Sequence, residues 1–295
     1  MATYADLSRQ FSDALQSLYE EAEIRGIFRM YVEKKWHLPA HQLYLIFNDN
    51  IEAQRLTESA KDLQRLKSGE PIQYVVGVTD FYGLELAVNS SVLIPRPETE
   101  ELVDLIIREH SDRPNLRVLD LGTGSGAIAI ALARHLPQVH VTATDFSAEA
   151  LQTAQRNANR YGANIEWLHD DMLHPDFDKL GTYDLIVSNP PYVPLAEKDT
   201  LHTNVKDHEP SSALFVPDDD PLLFYKAIAD IGKHCLCNGG KLYLETHHLF
   251  HEALCQMLKN NGYQNVRAMK DINGKDRFMS GEWRAESGEL KKLRS

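Results

Sequence analysis

The sequence contains little cysteine, no long apolar run and no excess of basic residues. Its three cysteines, Cys235, Cys237 and Cys255, are few and odd in number, so we expect free thiols and a cytoplasmic location. No stretch approaches the roughly 18 apolar residues that a membrane helix needs, so no membrane association is expected. The start of the chain lacks a basic flank and an apolar segment, which predicts no secretory signal.

The net charge of -12 is distributed unevenly along the chain. Residues 1–78 hold nine Lys/Arg against eleven Asp/Glu, which leaves 22 against 32 in the remainder. An acidic surface repels a phosphate backbone. The charge therefore argues against nucleic acid as the direct substrate.

The pattern of apolar residues predicts two kinds of structure. Helical spacing predicts a small N-terminal bundle, with helices around Leu7–Leu18 and Leu56–Leu66 and a shorter one between them. After residue 98, strands and helices alternate, which predicts an α/β fold with a mostly parallel, Rossmann-like sheet. Asn273-Gly274 predicts a hairpin that gives this sheet an antiparallel last strand. The limits that we predict are 1–72 for a helical domain, 73–97 for a β-hairpin-like connector and 98–295 for the α/β domain, whose tail at 286–295 is expected to fray.

A glycine-rich turn joins the first predicted strand of the α/β domain to a helix. Its residues are Gly122, Thr123, Gly124, Ser125 and Gly126. Glycines at alternate positions let the backbone approach a ligand closely, and the helix N-terminus offers free N–H groups. Asp145 ends the next strand, where such folds place an acid that binds ribose hydroxyls. The preceding Asp120 disfavours a pyrophosphate and suits a sulfonium, which favours S-adenosylmethionine over a dinucleotide, although such a turn can also be tight packing alone.

The segment Asn189, Pro190, Pro191 and Tyr192 follows a later strand of the same sheet. Two prolines make a stiff turn that shows carbonyl oxygens and no N–H groups. With the side-chain oxygen of Asn189, the turn can accept hydrogen bonds from both protons of a planar NH₂ group while Tyr192 covers its face. This pattern predicts a clamp for an amide or aromatic amine that is to be methylated, against the alternative of an ordinary turn.

These motifs together resemble the HemK family, the peptide chain release factor N5-glutamine methyltransferases. The similarity extends over nearly the whole chain and includes "LIPRPETE", "DLGTGSGAIAIALA", "VSNPPYV", "HEPSSAL" and "DINGKDRF". It implies methyl transfer from S-adenosylmethionine to the glutamine side chain of the Gly-Gly-Gln loop in class 1 release factors. It also implies a substrate-docking role for the helical domain. We expect a monomer.

The resemblance implies roles for individual residues. It assigns catalysis to Asn189, Pro190 and Tyr192, and it assigns the substrate amide to Asn189–Tyr192, with Phe81 lining the pocket. The implied cofactor-binding residues are Gly122, Thr123, Gly124, Ser125, Gly126, Asp145, Asp171, Met172 and Asn189. In several relatives a Trp replaces Met172, and many have a Gly in place of His247.

Two further segments have competing interpretations. In "RPETEEL", Pro97 and the glutamates that follow are typical of a helix start, and a direct ligand contact is the alternative. His247 and His251 are spaced to share one helix face, but histidines on a solvated helix are far commoner than metal ligands, so no metal site is predicted.

Three alternative functions fit parts of the pattern. An adenine-N6 methyltransferase of nucleic acid would use the same clamp on a flipped base, although the chain has no basic recognition domain. A glutamine methyltransferase acting on a ribosomal protein is the second alternative, and a cofactor-binding scaffold without activity is the third.

Overall fold

The computed structural model describes residues 2–285. The described residues form two compact units, one made of residues 2–78, 88–90 and 201–209 and the other of residues 79–87, 91–200 and 210–285. The limits predicted at residues 72 and 97 stay a prediction, and the predicted tail at 286–295 lies outside the described residues. Within residues 2–285, no helix combines the length and the apolar character needed to cross a bilayer.

The described helices and strands are numbered in chain order. The helices are α1 (Tyr4–Leu15), α2 (Glu21–Trp36), α3 (Ala40–Leu45), α4 (Ala53–Lys67), α5 (Ile72–Val76), α6 (Pro97–His110), α7 (Ala127–His135), α8 (Ala148–Tyr161), α9 (Thr203–Lys206), α10 (Ser211–Leu214), α11 (Leu223–Cys235) and α12 (His251–Asn260). The strands are β1 (Val78–Phe81), β2 (Leu84–Ala87), β3 (Arg117–Leu121), β4 (His140–Asp145), β5 (Ile165–His169), β6 (Tyr183–Ser188), β7 (Val193–Pro194), β8 (Phe215–Val216), β9 (Leu236–Glu245), β10 (Tyr263–Lys270) and β11 (Asp276–Trp283). Two 3₁₀ turns lie at Leu195–Thr200 and His248–Phe250.

The first unit contains the predicted helical bundle. Its helices enclose one apolar core that includes Phe11, Tyr31 and Leu66. The Thr3 hydroxyl caps α1 by accepting from the N–H of Asp6, whose carboxylate accepts from the N–H of Thr3 in return. This reciprocal cap satisfies two N–H groups that a helix start otherwise leaves free.

Two helices of this unit differ from the sequence prediction. Helix α2 was not predicted, although its buried residues from Ile24 to Val32 recur at helical spacing. Helix α5 occupies the start of the segment predicted to be extended, and the chain leaves it through Gly77, whose φ of 80° suits glycine. The predicted hairpin follows as β1 and β2.

The second unit is built on a seven-stranded sheet. The strand order is β10-β11-β9-β6-β3-β4-β5, and the five strands from β9 to β5 are parallel. From β3 the chain passes to β4 and β5 on one side and then returns to β6 on the other. The order of strands therefore reverses between β3 and β6, and open α/β sheets bind ligands at the carboxyl ends of strands at such a point.

Helices cover both faces of this sheet, as its alternating buried residues require. One face packs against α6, α7 and α8 in a core that includes Val118 and Val187. The other packs against α11 and α12 in a core that includes Leu119 and Ile186. The parallel strands are thus buried on both sides, which holds their carboxyl ends in fixed positions.

The predicted Asn273-Gly274 hairpin is confirmed. It joins β10 and β11, and Gly274 adopts a φ of 79°. Strand β11 pairs antiparallel with β9 on its other side, so that Phe278 lies opposite Glu245. The last described strand therefore lies inside the sheet, and β10 forms the edge.

Candidate active site

A cavity opens at the carboxyl ends of β3, β4 and β6 and encloses about 1180 Å³, including its open mouth. The described residues that line it all belong to the second unit. The described lining residues include Thr99, Gly122, Thr123, Gly124, Ser125, Asp145, Phe146, Asp171, Met172, Asn189 and Pro191.

The glycine turn has the backbone conformation that its sequence predicts. Gly122, Gly124 and Gly126 have φ values of 73°, 56° and 83°, which side chains disfavour. A Cβ at Gly122 would lie 2.9 Å from Met172 Cε. At Gly126 it would lie 3.1 Å from Ala154 Cβ on α8. The backbone conformation thus favours glycine at all three positions, and close packing against Ala154 favours it further at Gly126.

Asp145 ties the glycine turn to the end of β4. Its Oδ2 accepts from the Gly124 N–H at 2.8 Å, and its Oδ1 accepts from the Ser147 N–H at 2.9 Å. Burial raises the pKa of Asp145, and these N–H donors oppose that shift. A carboxylate has about four acceptor positions, so the side chain can still accept from hydroxyl groups in the cavity.

The sequence suggests that the Asp120 carboxylate faces a positively charged ligand, and the structure differs. It is fully buried and is not among the described residues that line the cavity. Burial raises its pKa to about 7, and Oδ2 accepts from the Thr123 hydroxyl at 2.7 Å. The side chain therefore supports the turn from within the protein through its hydrogen bond with Thr123.

Two side chains with apolar surface stand beside the turn. Met172 and the neighbouring Asp171 both line the cavity, and their predicted place beside the adenine stays a prediction. Phe146, which was not predicted, lines the cavity while 56% exposed. An exposed aromatic ring directly after the strand-end acid is the sequence signal that could have identified it.

The structure divides the Asn-Pro-Pro-Tyr segment between two environments. Asn189 and Pro191 line the cavity, whereas Pro190 and Tyr192 are not among the described lining residues. The Tyr192 hydroxyl instead donates to Glu245 Oε1 at 3.1 Å. Burial raises the pKa of Tyr192, helped by the negative charge of Glu245.

Phe81 also lies away from the cavity. It is 1% exposed and packs in the core beneath the β1-β2 hairpin, beside Leu84 and Leu86. Burying a large aromatic surface accounts for this position. The expectation that Phe81 lines the pocket therefore differs from the structure.

Thr99 and Glu245 adjoin the cavity but were not predicted. The Asn189 Nδ2 group donates to Thr99 Oγ1 at 3.1 Å, and the Thr99 hydroxyl donates to Glu245 Oε2 at 2.7 Å. Helix α6 begins at Pro97 as predicted, and Thr99 lies in its first turn. The sequence separation of 146 residues gives no local signal for this contact.

The predicted histidine pair has separate partners. His247 Nε2 lies 3.3 Å from Glu197 Oε2, and His251 contacts the Thr246 hydroxyl. Across residues 2–285, the structure shows no group of three or more His, Cys, Asp or Glu residues that could hold a metal ion.

The fold and the position of its cavity define a Rossmann-like class I methyltransferase. Residues 100–207 match the methyltransferase small domain, and residues 6–77 match the PrmC N-terminal domain. A methyltransferase structure from Pyrococcus furiosus has a TM-score of 0.51 and 17% identity, with 79% of this chain and 100% of that one covered, and bears on the fold alone.

Comparison with curated sequences identifies the family. The chain is 42% identical to the release factor glutamine methyltransferase of Bacteroides thetaiotaomicron, covering 90% of this chain and 95% of that protein. It is 41% identical to the enzyme of the same name from Flavobacterium psychrophilum, covering 93% and 97%. The chain belongs to the family of release factor glutamine methyltransferases, which its motifs resemble.

Proposed function

We propose that this protein methylates the side-chain amide nitrogen, N5, of the glutamine in the Gly-Gly-Gln motif of class 1 release factors. The observation that carries this proposal is the similarity to release factor glutamine methyltransferases over at least 90% of the chain. The convergence of the glycine turn and Asn189 on one cavity supports it.

The cavity walls fit S-adenosylmethionine as the methyl donor. The glycine turn leaves no Cβ between its backbone and a ligand, and Asp145 keeps acceptor positions for ribose hydroxyls. Phe146 and Met172 offer apolar surface to a flat base. When bound, S-adenosylmethionine supplies a methyl group carried by a positively charged sulfur.

Asn189 is suited to activate the glutamine amide. An amide nitrogen is a weak nucleophile because its lone pair is delocalised into the carbonyl. With its Nδ2 group held by Thr99, Asn189 can turn Oδ1 toward a substrate N–H and stabilise the positive charge that develops on nitrogen. The backbone carbonyls of the rigid proline turn provide the second acceptor. The new N–C bond replaces the C–S bond, and the nitrogen then loses a proton to water.

The decisive test uses purified protein, S-adenosylmethionine and an intact class 1 release factor. Mass spectrometry should find one added methyl group on the Gly-Gly-Gln glutamine and none when that glutamine is replaced by alanine. Methylation of DNA adenine or of a ribosomal protein, with none on the release factor, would reject the proposal.

We also propose that the helical unit docks the release factor. Tyr44 and Leu45 on α3 are 83% and 78% exposed, and exposed apolar side chains of this size are common at docking surfaces. Replacing both with serine should raise KM for the intact release factor about tenfold, as expected for the loss of apolar contact, and leave kcat unchanged.

The control for this double substitution is Ile272→Ser, which removes an 87% exposed apolar side chain from the other unit. Steady-state kinetics with the intact factor and with a short Gly-Gly-Gln peptide separate docking from chemistry. An unaltered KM for the intact factor in the double variant would refute this role.

We further propose that the active form is a cytoplasmic monomer. One chain supplies the whole described cavity, and release factors act in the cytoplasm. Sedimentation of the active enzyme should give a mass near 33.5 kDa, and a larger mass would exclude the monomer.

A further inference from the structure

A buried chain of hydrogen bonds lies behind the cavity and ends at Asn189. It begins at Glu245, the last residue of β9, whose side chain is 1% exposed. Glu245 Oε2 accepts from the Thr99 hydroxyl, and Thr99 Oγ1 accepts from Asn189 Nδ2. Glu245 Oε1 accepts from the Tyr192 hydroxyl. Both ends of the Asn-Pro-Pro-Tyr segment thus connect to one buried carboxyl group.

The direction of these hydrogen bonds determines which end of the Asn189 amide enters the cavity. A hydroxyl group has one proton, and Thr99 uses its proton on Glu245 at 2.7 Å. Its oxygen can then only accept from Asn189, so the NH₂ end of that amide faces Thr99. The carbonyl end is left for the cavity.

The reversed amide would present the wrong chemistry to the substrate. If Asn189 turned its oxygen toward Thr99, its NH₂ group would meet the NH₂ group of the glutamine, and two donors cannot pair. Rotation of a side-chain amide exchanges a donor for an acceptor with little change in shape. The active site therefore needs something that holds one orientation.

We propose that Glu245, acting through Thr99, is a positioning group that keeps the Asn189 carbonyl directed at the substrate nitrogen. Neither Thr99 nor Glu245 touches the reacting atoms in this role. The inference rests on the proposed function, because it assigns a task to Asn189 in amide methylation. It adds two residues that lie outside the glycine turn and the Asn-Pro-Pro-Tyr segment.

The central test compares Thr99→Val with Thr99→Ser. Valine keeps the branched shape and loses the hydroxyl, so kcat should fall about 10- to 100-fold, as a misdirected group does. The dissociation constant for S-adenosylmethionine and KM for the release factor should stay within about threefold of wild type. Serine restores the hydroxyl and should return kcat to within about threefold of wild type.

Thr142→Val is the matched control. Thr142 is also a buried threonine whose hydroxyl donates to a glutamate, Glu166, at 3.3 Å, and it does not line the cavity. Its replacement should leave kcat unchanged. A wild-type kcat in Thr99→Val, or a kcat in Thr99→Ser as low as in Thr99→Val, would overturn the proposal. So would a loss confined to cofactor affinity.

A double-mutant cycle tests Glu245. Glu245→Met removes both acceptor oxygens at similar size and should lower kcat at least as much as Thr99→Val. The double variant should be no slower than Glu245→Met alone, because both changes interrupt the same chain. A loss of kcat in the double variant that equals the product of the two single losses would contradict the proposal. If Glu245→Met does not fold, the two Thr99 variants decide. If the wild-type enzyme does not methylate a release factor, the proposed function itself is rejected before any variant is compared.

Discussion

Asn189→Ala should lower kcat for release factor methylation about 10²- to 10³-fold, as the loss of one preorganised group that stabilises transition-state charge does in other enzymes. The substitution removes the acceptor that Thr99 directs at the substrate nitrogen. The glycine turn and Asp145 remain, so the dissociation constant for S-adenosylmethionine should change by less than about tenfold. Single-turnover kinetics and calorimetry measure the two quantities separately.

The control for this change is Asn273→Ala, which shortens an exposed asparagine in the β10-β11 turn. It should leave both quantities at the wild-type level. Turnover that survives in Asn189→Ala would show that the backbone carbonyls suffice and that the side chain is not the clamp. Loss of cofactor affinity alone would assign Asn189 to the cofactor.

Asp145→Ala should affect cofactor affinity rather than kcat, in contrast to Asn189→Ala. It should weaken S-adenosylmethionine binding about 100-fold, since hydrogen bonds to a charged group contribute about 1.5–3 kcal/mol each. The substitution removes the acceptor for ribose hydroxyls. It also leaves the N–H groups of Gly124 and Ser147 without their partner, which loosens the turn. Saturating cofactor should restore much of kcat, because Asn189 and its partners are untouched.

Asp230→Ala serves as the comparison for Asp145→Ala. Asp230 is an exposed aspartate on α11 that pairs with Lys233 at the surface, and such pairs contribute little to stability. Titration calorimetry should give wild-type cofactor affinity for it. Equal affinities for the Asp145 and Asp230 variants would show that Asp145 holds only the loop and not the ligand.

The sequence predicts those parts of this protein that local patterns determine. Strand β4 and Asp145 follow from an apolar run with an acid at its end, and the C-terminal hairpin follows from Asn273-Gly274. The glycine turn is a local pattern as well, because each of its glycines needs an unusual φ. Helix α2 also has a local pattern, with apolar residues at helical spacing from Ile24 to Val32, and the prediction missed it.

Contacts between distant residues explain the remaining differences. Thr99 in "RPETEEL" is consistent with an ordinary helix start, and only the folded sheet brings Glu245 to it. Glu245 also accepts a hydrogen bond from the Tyr192 hydroxyl through Oε1, although the motif predicts that the Tyr192 ring covers the substrate. Phe81 has the aromatic character of a pocket residue, and its burial depends on the helices that cover the hairpin.

The position of β11 inside the sheet has a consequence for how the enzyme matures during synthesis. Residues 276–283 must pair with β9 before that strand, which carries Glu245, is flanked on both sides. A nascent chain that has emerged only as far as β10 would expose the backbone of β9 as an open edge, which is prone to pair with other chains. Catalytic competence should therefore arise only after residues 276–283 have left the ribosome and paired with β9.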